Sequence, residues 1–390
     1  MKFNTVKMED VLDALIDYRG KTPHKSDKGI MTLSAKSVKN NYIDYSQCYH
    51  ISEDEYSRFM VRGFPQKGDI LLTTEAPLGM VARLDRDDVA IAQRLLTLRG
   101  KKNVLDNDYL LYYLQSPIGQ ASLKARETGT TVTGIKQAEF RKIELKIPDY
   151  EFQKKISGTL RAIDEKIKIN NEINNNLFQQ LFASFDHLLE EPPAEEMALG
   201  TLCSFQEGYV NPAQTHPEFF DGDIKWLRAV DINETFIINT SRTLTQAGFQ
   251  SAGKSAYLFP PNTIALSKSG TIGRLGIVGD YMCGNRAVIN IAPNNPQHLP
   301  FIFAYLKSRQ AEYPDLAVGS VQKNLYVSLL EPLIVPVPNS SALDWFCNFG
   351  NTLIESIRNN CNEAGELISL RDTLLPKLMS GELDVSAINL

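Results

Sequence analysis

The chain repeats itself once, and that constrains its fold more than any other feature. Residues 30–40, IMTLSAKSVKN, return as IKWLRAVDINE at 224–234. ILLTTEAPLG, ending at Gly79, returns as IALSKSGTIG, ending at Gly273, again 194 residues on. Each copy of the second segment follows a Phe-Pro pair, Phe64-Pro65 and Phe259-Pro260, that reads as a turn into a strand. Further along, Gln93-Arg94 matches Asn285-Arg286, Tyr113-Leu114 matches Tyr305-Leu306, and GTTVTGIKQAEFRKIELKIP (129–148) matches GSVQKNLYVSLLEPLIVPVP (319–338), with the offset drifting to 190–192. Dissimilar patterns recurring in one order mean an internal duplication. Two copies of about 190 residues are expected to pack about a pseudo-twofold axis, which suits a two-sided target.

Each copy has a variable portion followed by a helical one. The variable portions carry short β-rich runs (69–74, 143–147, 263–267, 333–337) broken by Gly, Pro, Asn and Asp, with one compact helix candidate each, 109–115 and 301–307. Each reads as a small α+β domain. The helical portions show a 4-3 spacing: Ile156, Leu160, Ile163, Ile167, Asn170, Asn174, Leu177 and Leu181 in the first. In the second the same places hold Phe346, Gly350, Leu353, Ile357, Asn360, Ala364, Leu367 and Arg371, extended by Leu374 and Leu378. The expected fold class is therefore α+β, two tandem domains separated by two long helices that form an antiparallel coiled coil. The portions run 1–148, 149–191, 192–338 and 339–390. In such a pair only mid-helix residues face their own counterparts, so Asn170 and Asn360 are expected to meet and fix helix register, since a buried Asn trades stability for alignment.

Composition narrows the function. No apolar run approaches the roughly 18 residues of a membrane span, and the opening MKFNTVKMEDVLDAL is acidic where a signal peptide is apolar, so a cytoplasmic protein is the default. The five cysteines are scattered and never form a CxxC pair, which reads as reduced structural thiols, with no metal site. Net charge is -5, so the overall field does not grip nucleic acid. The distribution is uneven: residues 1–150 carry 23 basic and 20 acidic groups, residues 339–390 carry 3 and 7.

Catalytic motifs fail on context. Gly248, Gly253, Lys254 and Ser255 fit GxxxxGK followed by Ser, but no hydrophobic strand precedes them and Pro260-Pro261 forbids a long helix after them, so the match reads as accidental. Asn295-Pro296-Gln297 lacks the second Pro and the aromatic of a DNA methyltransferase motif. Asp164-Glu165-Lys166 falls on solvated flank positions of the heptad helix. No cofactor or metal is implied for the chain.

Polar residues near Gly-containing turns recur in equivalent places instead. Ser34, Lys36 and Lys39 match Arg228, Asp231 and Asn233; Thr74 and Glu75 match Lys268 and Ser269. Gln93 and Arg94 match Asn285 and Arg286; Thr130, Thr131 and Lys136 match Ser320, Gln322 and Lys323. Arg, Lys, Asn and Gln can read base edges, and Ser, Thr and backbone N–H can hold phosphates, so as a duplicated set they point to a DNA-binding surface.

The half-length repeat, the IKWLRAVDINE segment, the two transitions into long helices at 129–148 and 319–338, and the terminal LRDTLLPKLMSGEL together resemble the specificity subunits of type I restriction-modification enzymes, over essentially the whole chain. Met31-Thr32 departs from the pattern, which holds an aromatic there. The resemblance implies a non-catalytic subunit whose two target-recognition domains each read one half of a bipartite double-stranded DNA site, held apart by helices acting as a ruler. It implies two methyltransferase subunits docked on that scaffold, restriction subunits adding ATP-driven translocation and cleavage, and S-adenosylmethionine and ATP bound by those partners. The competing readings are an ATP-binding enzyme using Lys254 and a coiled-coil scaffold without a DNA role.

Overall fold

The computed structural model describes residues 2–129, 133–190, 192–319 and 322–385. The chain divides into two compact units, Met1–Glu165 with Leu367–Leu390, and Lys166–Glu366, so each unit owns one α+β portion and a share of both long helices.

In the first unit a four-stranded antiparallel sheet runs Leu12–Asp17, Leu95–Gly100, Ile70–Thr73, Val81–Arg83. A three-stranded sheet runs Tyr49–Ile51, Ile30–Leu33, Val89–Ile91, its last pair parallel. The strand Ile70–Thr73 is buried on both faces because its alternate side chains serve two cores. Ile70 and Leu72 pack with Tyr109, Leu110 and Leu114 of the helix Asn107–Gln115, while Leu71 joins Leu33, Ile51 and Ile91. Asp106 starts that helix by accepting from Tyr109 N at 2.8 Å.

The second unit repeats the plan. Its larger sheet runs Cys203–Glu207, Val288–Pro293, Ile264–Ser267, Leu275–Val278, Phe236–Ile237; its smaller one runs Thr243–Leu244, Phe220–Leu227, Cys283–Gly284, the last pair again parallel. Ile264 and Leu266 face the helix Leu299–Ser308, and Ala265 faces Leu227 and Val278. In both units the strand before the long helix is paired with the strand that opens the copy, Glu144–Pro148 with Phe3–Lys7 and Ile334–Val337 with Glu195–Ala198. The architecture is α+β, with the 4-3 spacing realised as two long helices, Tyr150–Leu188 and Ser340–Ser380.

Within each unit the two helices pack antiparallel. Ile156 and Leu160 share a core with Leu375, Leu378 and Met379 in the first; Phe178, Leu181 and Phe185 share one with Phe346, Leu353 and Ile357 in the second. Three details differ from the sequence expectation. The buried stripe steps from Asn174 to Phe178, leaving Leu177 at its edge, because Phe178 fills the space beside Phe303. Asp164 is no solvated flank: it accepts from Asn41 Nδ2 at 2.8 Å, the Tyr112 hydroxyl at 2.7 Å and Arg371 Nη1 at 2.9 Å. The Asn170 amide meets only the backbone of Asn360, donating to its oxygen at 3.5 Å and to Glu363 Oε2 at 2.7 Å, while the Asn360 amide donates to Asn174 Oδ1 at 2.8 Å. The antiparallel stagger puts Asn174, one turn on, opposite Asn360. The polar seam thus has three Asn side chains, of which Asn170 and Asn174 are 1% and 3% exposed.

Candidate nucleic-acid interface

In each unit the polar candidates cluster where a parallel strand pair ends. Leu33 lies in register with Ile91, and Ala92 N donates to Leu33 O at 2.8 Å, so Ser34 and Gln93 leave the sheet side by side. Leu227 lies in register with Gly284, and Asn285 N donates to Leu227 O at 2.9 Å, so Arg228 and Arg286 leave the sheet side by side in the same way.

A tight turn flanks this point in both units. Gly79 N donates to Thr73 O at 3.0 Å and Gly273 N to Ser267 O at 2.9 Å, both glycines being left-handed at φ 93° and 92°. The Thr73 and Ser267 hydroxyls each donate to a carbonyl within their turn, Pro77 O and Thr271 O, and accept from its far end, Met80 N and Arg274 N. Gln120 and Gln310 then donate to Gly79 O and Gly273 O, both at 2.9 Å. A second loop is closed by paired bonds between Thr128 and Gly134, and between Val318 and Asn324. It is tied to the turn by Ile135 N donating to Thr74 O at 3.0 Å and Leu325 N to Lys268 O at 2.9 Å. Thr130, Thr131 and Ser320 lie outside the described residues.

These bonds correct the register by one residue. Thr74 N donates to Arg94 O and Lys268 N to Ala287 O, so Arg94 corresponds to Ala287, Gln93 to Arg286, and Ala92 to Asn285. By the same frame Lys136 corresponds to Tyr326, each preceding a short helix, Gln137–Arg141 and Val327–Leu330. Tyr326 carries no charge or motif, so the sequence offered no reason to choose it.

On this common frame the side chains differ. In the first unit an open concavity of about 370 Å³ gathers Arg19, Glu75, Gln93, Arg94, Gly134 and Lys136. Arg94, left-handed at φ 71°, pairs with Glu75 at 2.7 Å. Arg19 donates to Ile135 O at 2.7 Å. Thr74 is buried and serves through its backbone, and Lys36 is exposed. In the second unit Lys268 donates to Glu207 at 2.5 Å and lies 5.8 Å from the Tyr326 ring centre. Arg286 is exposed. Asn285 Oδ1 accepts from Ala287 N at 3.0 Å, and Gln322 O accepts from Asn324 Nδ2 at 3.1 Å. Lys323 donates to Pro314 O at 3.3 Å, and Ser269 is half-buried. Arg228 is laid over the Trp226 ring at 5.4 Å and donates to Ser241 Oγ at 2.5 Å; Asp231 accepts from Arg228 N and Ser241 N. Lys39 and Asn233 stand on the continuation of these turns, half-buried and exposed.

The phosphate-loop match dissolves: Gly248 sits inside the helix Gln246–Gln250, and Gly253–Ser255 is a single 3-10 turn with Lys254 exposed. Among the described residues no group of three or more His, Cys, Asp or Glu could hold a metal, and no helix is long and apolar enough to cross a membrane.

A duplicated α+β reader carried on paired long helices defines the class of DNA-specificity chains. The family model for the type I restriction modification DNA specificity domain matches residues 1–179 and again 193–359, and the chain belongs to that family. It is 28% identical over 370 residues to the specificity subunit of the type I restriction enzyme MjaIX of Methanocaldococcus jannaschii, covering 87% of this chain and 83% of that one. It is 22% identical to the HindI specificity subunit of Haemophilus influenzae, over 82% of this chain and 87% of the relative. A crystal structure of a type I restriction-modification S subunit from M. genitalium shares the fold, with a TM-score of 0.57 at 18% identity over 97% of this chain and 96% of that one. The chain is the DNA sequence-recognition subunit of such a system and is itself non-catalytic; neither the ATP-binding enzyme nor the scaffold without DNA finds support.

Proposed function

We propose that residues 1–148 read one half of a bipartite double-stranded DNA target and residues 192–338 the other. The helical portions, 149–191 and 339–390, set the gap between the half-sites and dock two methyltransferase subunits; restriction subunits join the same cytoplasmic assembly. Methyl transfer from S-adenosylmethionine and ATP-driven cleavage belong to those partners. The observation that carries this reading is the duplicated hydrogen-bond frame bearing unlike side chains: Arg94, Glu75 and Lys136 on one copy, Lys268, Glu207 and Tyr326 on the other. One backbone geometry offers two sets of donors and acceptors, which suits two different half-sites. A net charge of -5 leaves most phosphate neutralisation to the methyltransferases, since backbone contacts supply much of the affinity.

Sequencing methylated DNA from cells with and without the gene tests the reading. A two-part motif with a fixed gap is expected, and methylation without such a motif overturns it. The ruler is tested separately by inserting one heptad into each long helix, which lengthens it by about 10 Å and keeps the apolar face in phase. At about 3.4 Å per base pair the preferred gap grows by roughly three base pairs. An unchanged gap refutes the ruler.

A further inference from the structure

The turn leaving the first parallel strand is built alike in both units and differs at its tip. Ser37 N donates to Ser34 O at 2.9 Å, and Asp231 N to Arg228 O at 2.9 Å. The side chain at the same place closes each turn: Ser37 Oγ accepts from Ser34 N at 3.3 Å, Asp231 Oδ2 from Arg228 N at 3.0 Å. Val38 and Ile232, each 1% exposed, anchor the exit. Inside the turn, one residue before the closing side chain, one side chain projects, Lys36 in the first unit and Val230 in the second.

Val230 is 68% exposed, the highest value among the exposed large hydrophobic residues described. It stands on a braced turn: the Asp231 carboxylate, 4% exposed, also accepts from Ser241 N at 2.8 Å and from the Ser241 hydroxyl, and Arg228 is held by Trp226 and Ser241. The polar side chains of this turn are occupied with the turn itself, while its apolar tip contributes little to the unit's own core. A rigid backbone presenting an exposed β-branched side chain is pre-organised for an apolar contact, because Val has few rotamers to lose.

Resting on the reading that each α+β portion recognises a half-site, we propose that this tip selects a base. Val230 packs against the 5-methyl group of a thymine in the major groove, and Lys36, at the same place in the first unit, donates to the O6 and N7 edge of a guanine. The thymine methyl is the apolar group that the major groove displays, and a valine has no donor or acceptor with which to read anything else there. Arg228 and Asp231 are then positioning residues that aim the tip.

The test uses the full-length chain assembled with its methyltransferase subunit. After the wild-type motif has been mapped, each thymine in it is replaced singly by deoxyuridine, which removes only the methyl group, and binding is measured at equilibrium. One position in one half-site is expected to weaken wild-type binding about fourfold, the worth of one buried methyl. Val230→Ala, whose melting temperature should match wild type, is expected to bind thymine and uracil duplexes equally, and Lys36→Ala to relax selection in the other half-site only. The tip proposal is overturned if neither half-site contains an A·T pair, if no uracil position responds, or if Val230→Ala keeps the wild-type response. A wild-type assembly without a two-part motif instead overturns the half-site reading.

Discussion

Replacing Asp231 by Ala tests whether the second unit's turn is held by one buried carboxylate. The wild-type side chain is 4% exposed and accepts from Arg228 N at 3.0 Å, Ser241 N at 2.8 Å and the Ser241 hydroxyl, with the Arg228 guanidinium 3.6 Å away. Hydrogen bonds to a charged acceptor contribute about 1.5–3 kcal/mol each, but Ser241 is exposed and water replaces part of what its amide loses. The three are not additive, so the turn is expected to lose about 2–4 kcal/mol. Because the loss is local, it registers as opening of residues 228–241 and leaves global unfolding nearly unchanged. Hydrogen exchange resolved by peptide is the assay: about 2 kcal/mol corresponds to roughly thirtyfold faster exchange of the Ser241 amide. The matching peptide of the first unit, residues 34–47, is the internal control. There Ser37→Ala removes only neutral bonds, from Ser34 N at 3.3 Å and from the Cys48 thiol at 3.4 Å, and about 0.5–1.5 kcal/mol is expected. Unchanged exchange at Ser241 in Asp231→Ala, or equal effects of the two substitutions, would refute the reasoning.

Three further outcomes are expected. Substituting Asn174 and Asn360 together by Leu replaces a 2.8 Å amide pair in the helix seam with apolar contact and should raise stability by about 1–3 kcal/mol, read from the melting temperature; a lower one counts against a register role bought with stability. Lys268→Met strips the partner from Glu207 and should reduce sequence discrimination in one half-site only, measured with singly substituted duplexes; equal loss in both would remove Lys268 from base selection. Burial pushes the thiols of Cys203, Cys283 and Cys347 up to about 12, so all three should resist an aromatic disulfide reagent at pH 8 in the native protein and react once guanidinium unfolds it.

The duplication, the long helices and the α+β character were legible in the sequence because each is a repeating pattern: a recurrence of unlike motifs, a 4-3 spacing, short β-rich runs between turn residues. The site was legible only in outline. Gln93, Arg94 and Lys136 do share one concavity, but the partner residue of Gln93 is Arg286, one place from where alignment puts it. The slip arises because Ala92 and Asn285 occupy the same backbone position with unrelated side chains, and similarity of letters drew the polar pairs together. Asp164 was misjudged for another reason: a helical wheel sees the helix alone, whereas Asn41, Tyr112 and Arg371 arrive from elsewhere in the unit and take its carboxylate out of solvent. Val230 went unread because an apolar residue in an apolar-rich segment has no signature until its exposure is known.

What the two copies share is mostly hydrogen bonding by the backbone and by small or amide side chains: Thr73 with Ser267, Gly79 with Gly273, Gln120 with Gln310. Such a frame does not depend on the identity of the residues at its tips, so Lys36 and Val230, or Lys136 and Tyr326, exchange without disturbing it. Stability and selectivity then reside in different atoms of the same loops. A consequence follows for grafting. Lys36→Val with Val230→Lys should leave the melting temperature within about 1 °C, since surface substitutions away from caps and cores stay within about 0.5 kcal/mol, while altering the preferred base at one position of each half-site. A double variant that melts several degrees lower would show that tip and frame are coupled and that the readers cannot be re-addressed one side chain at a time.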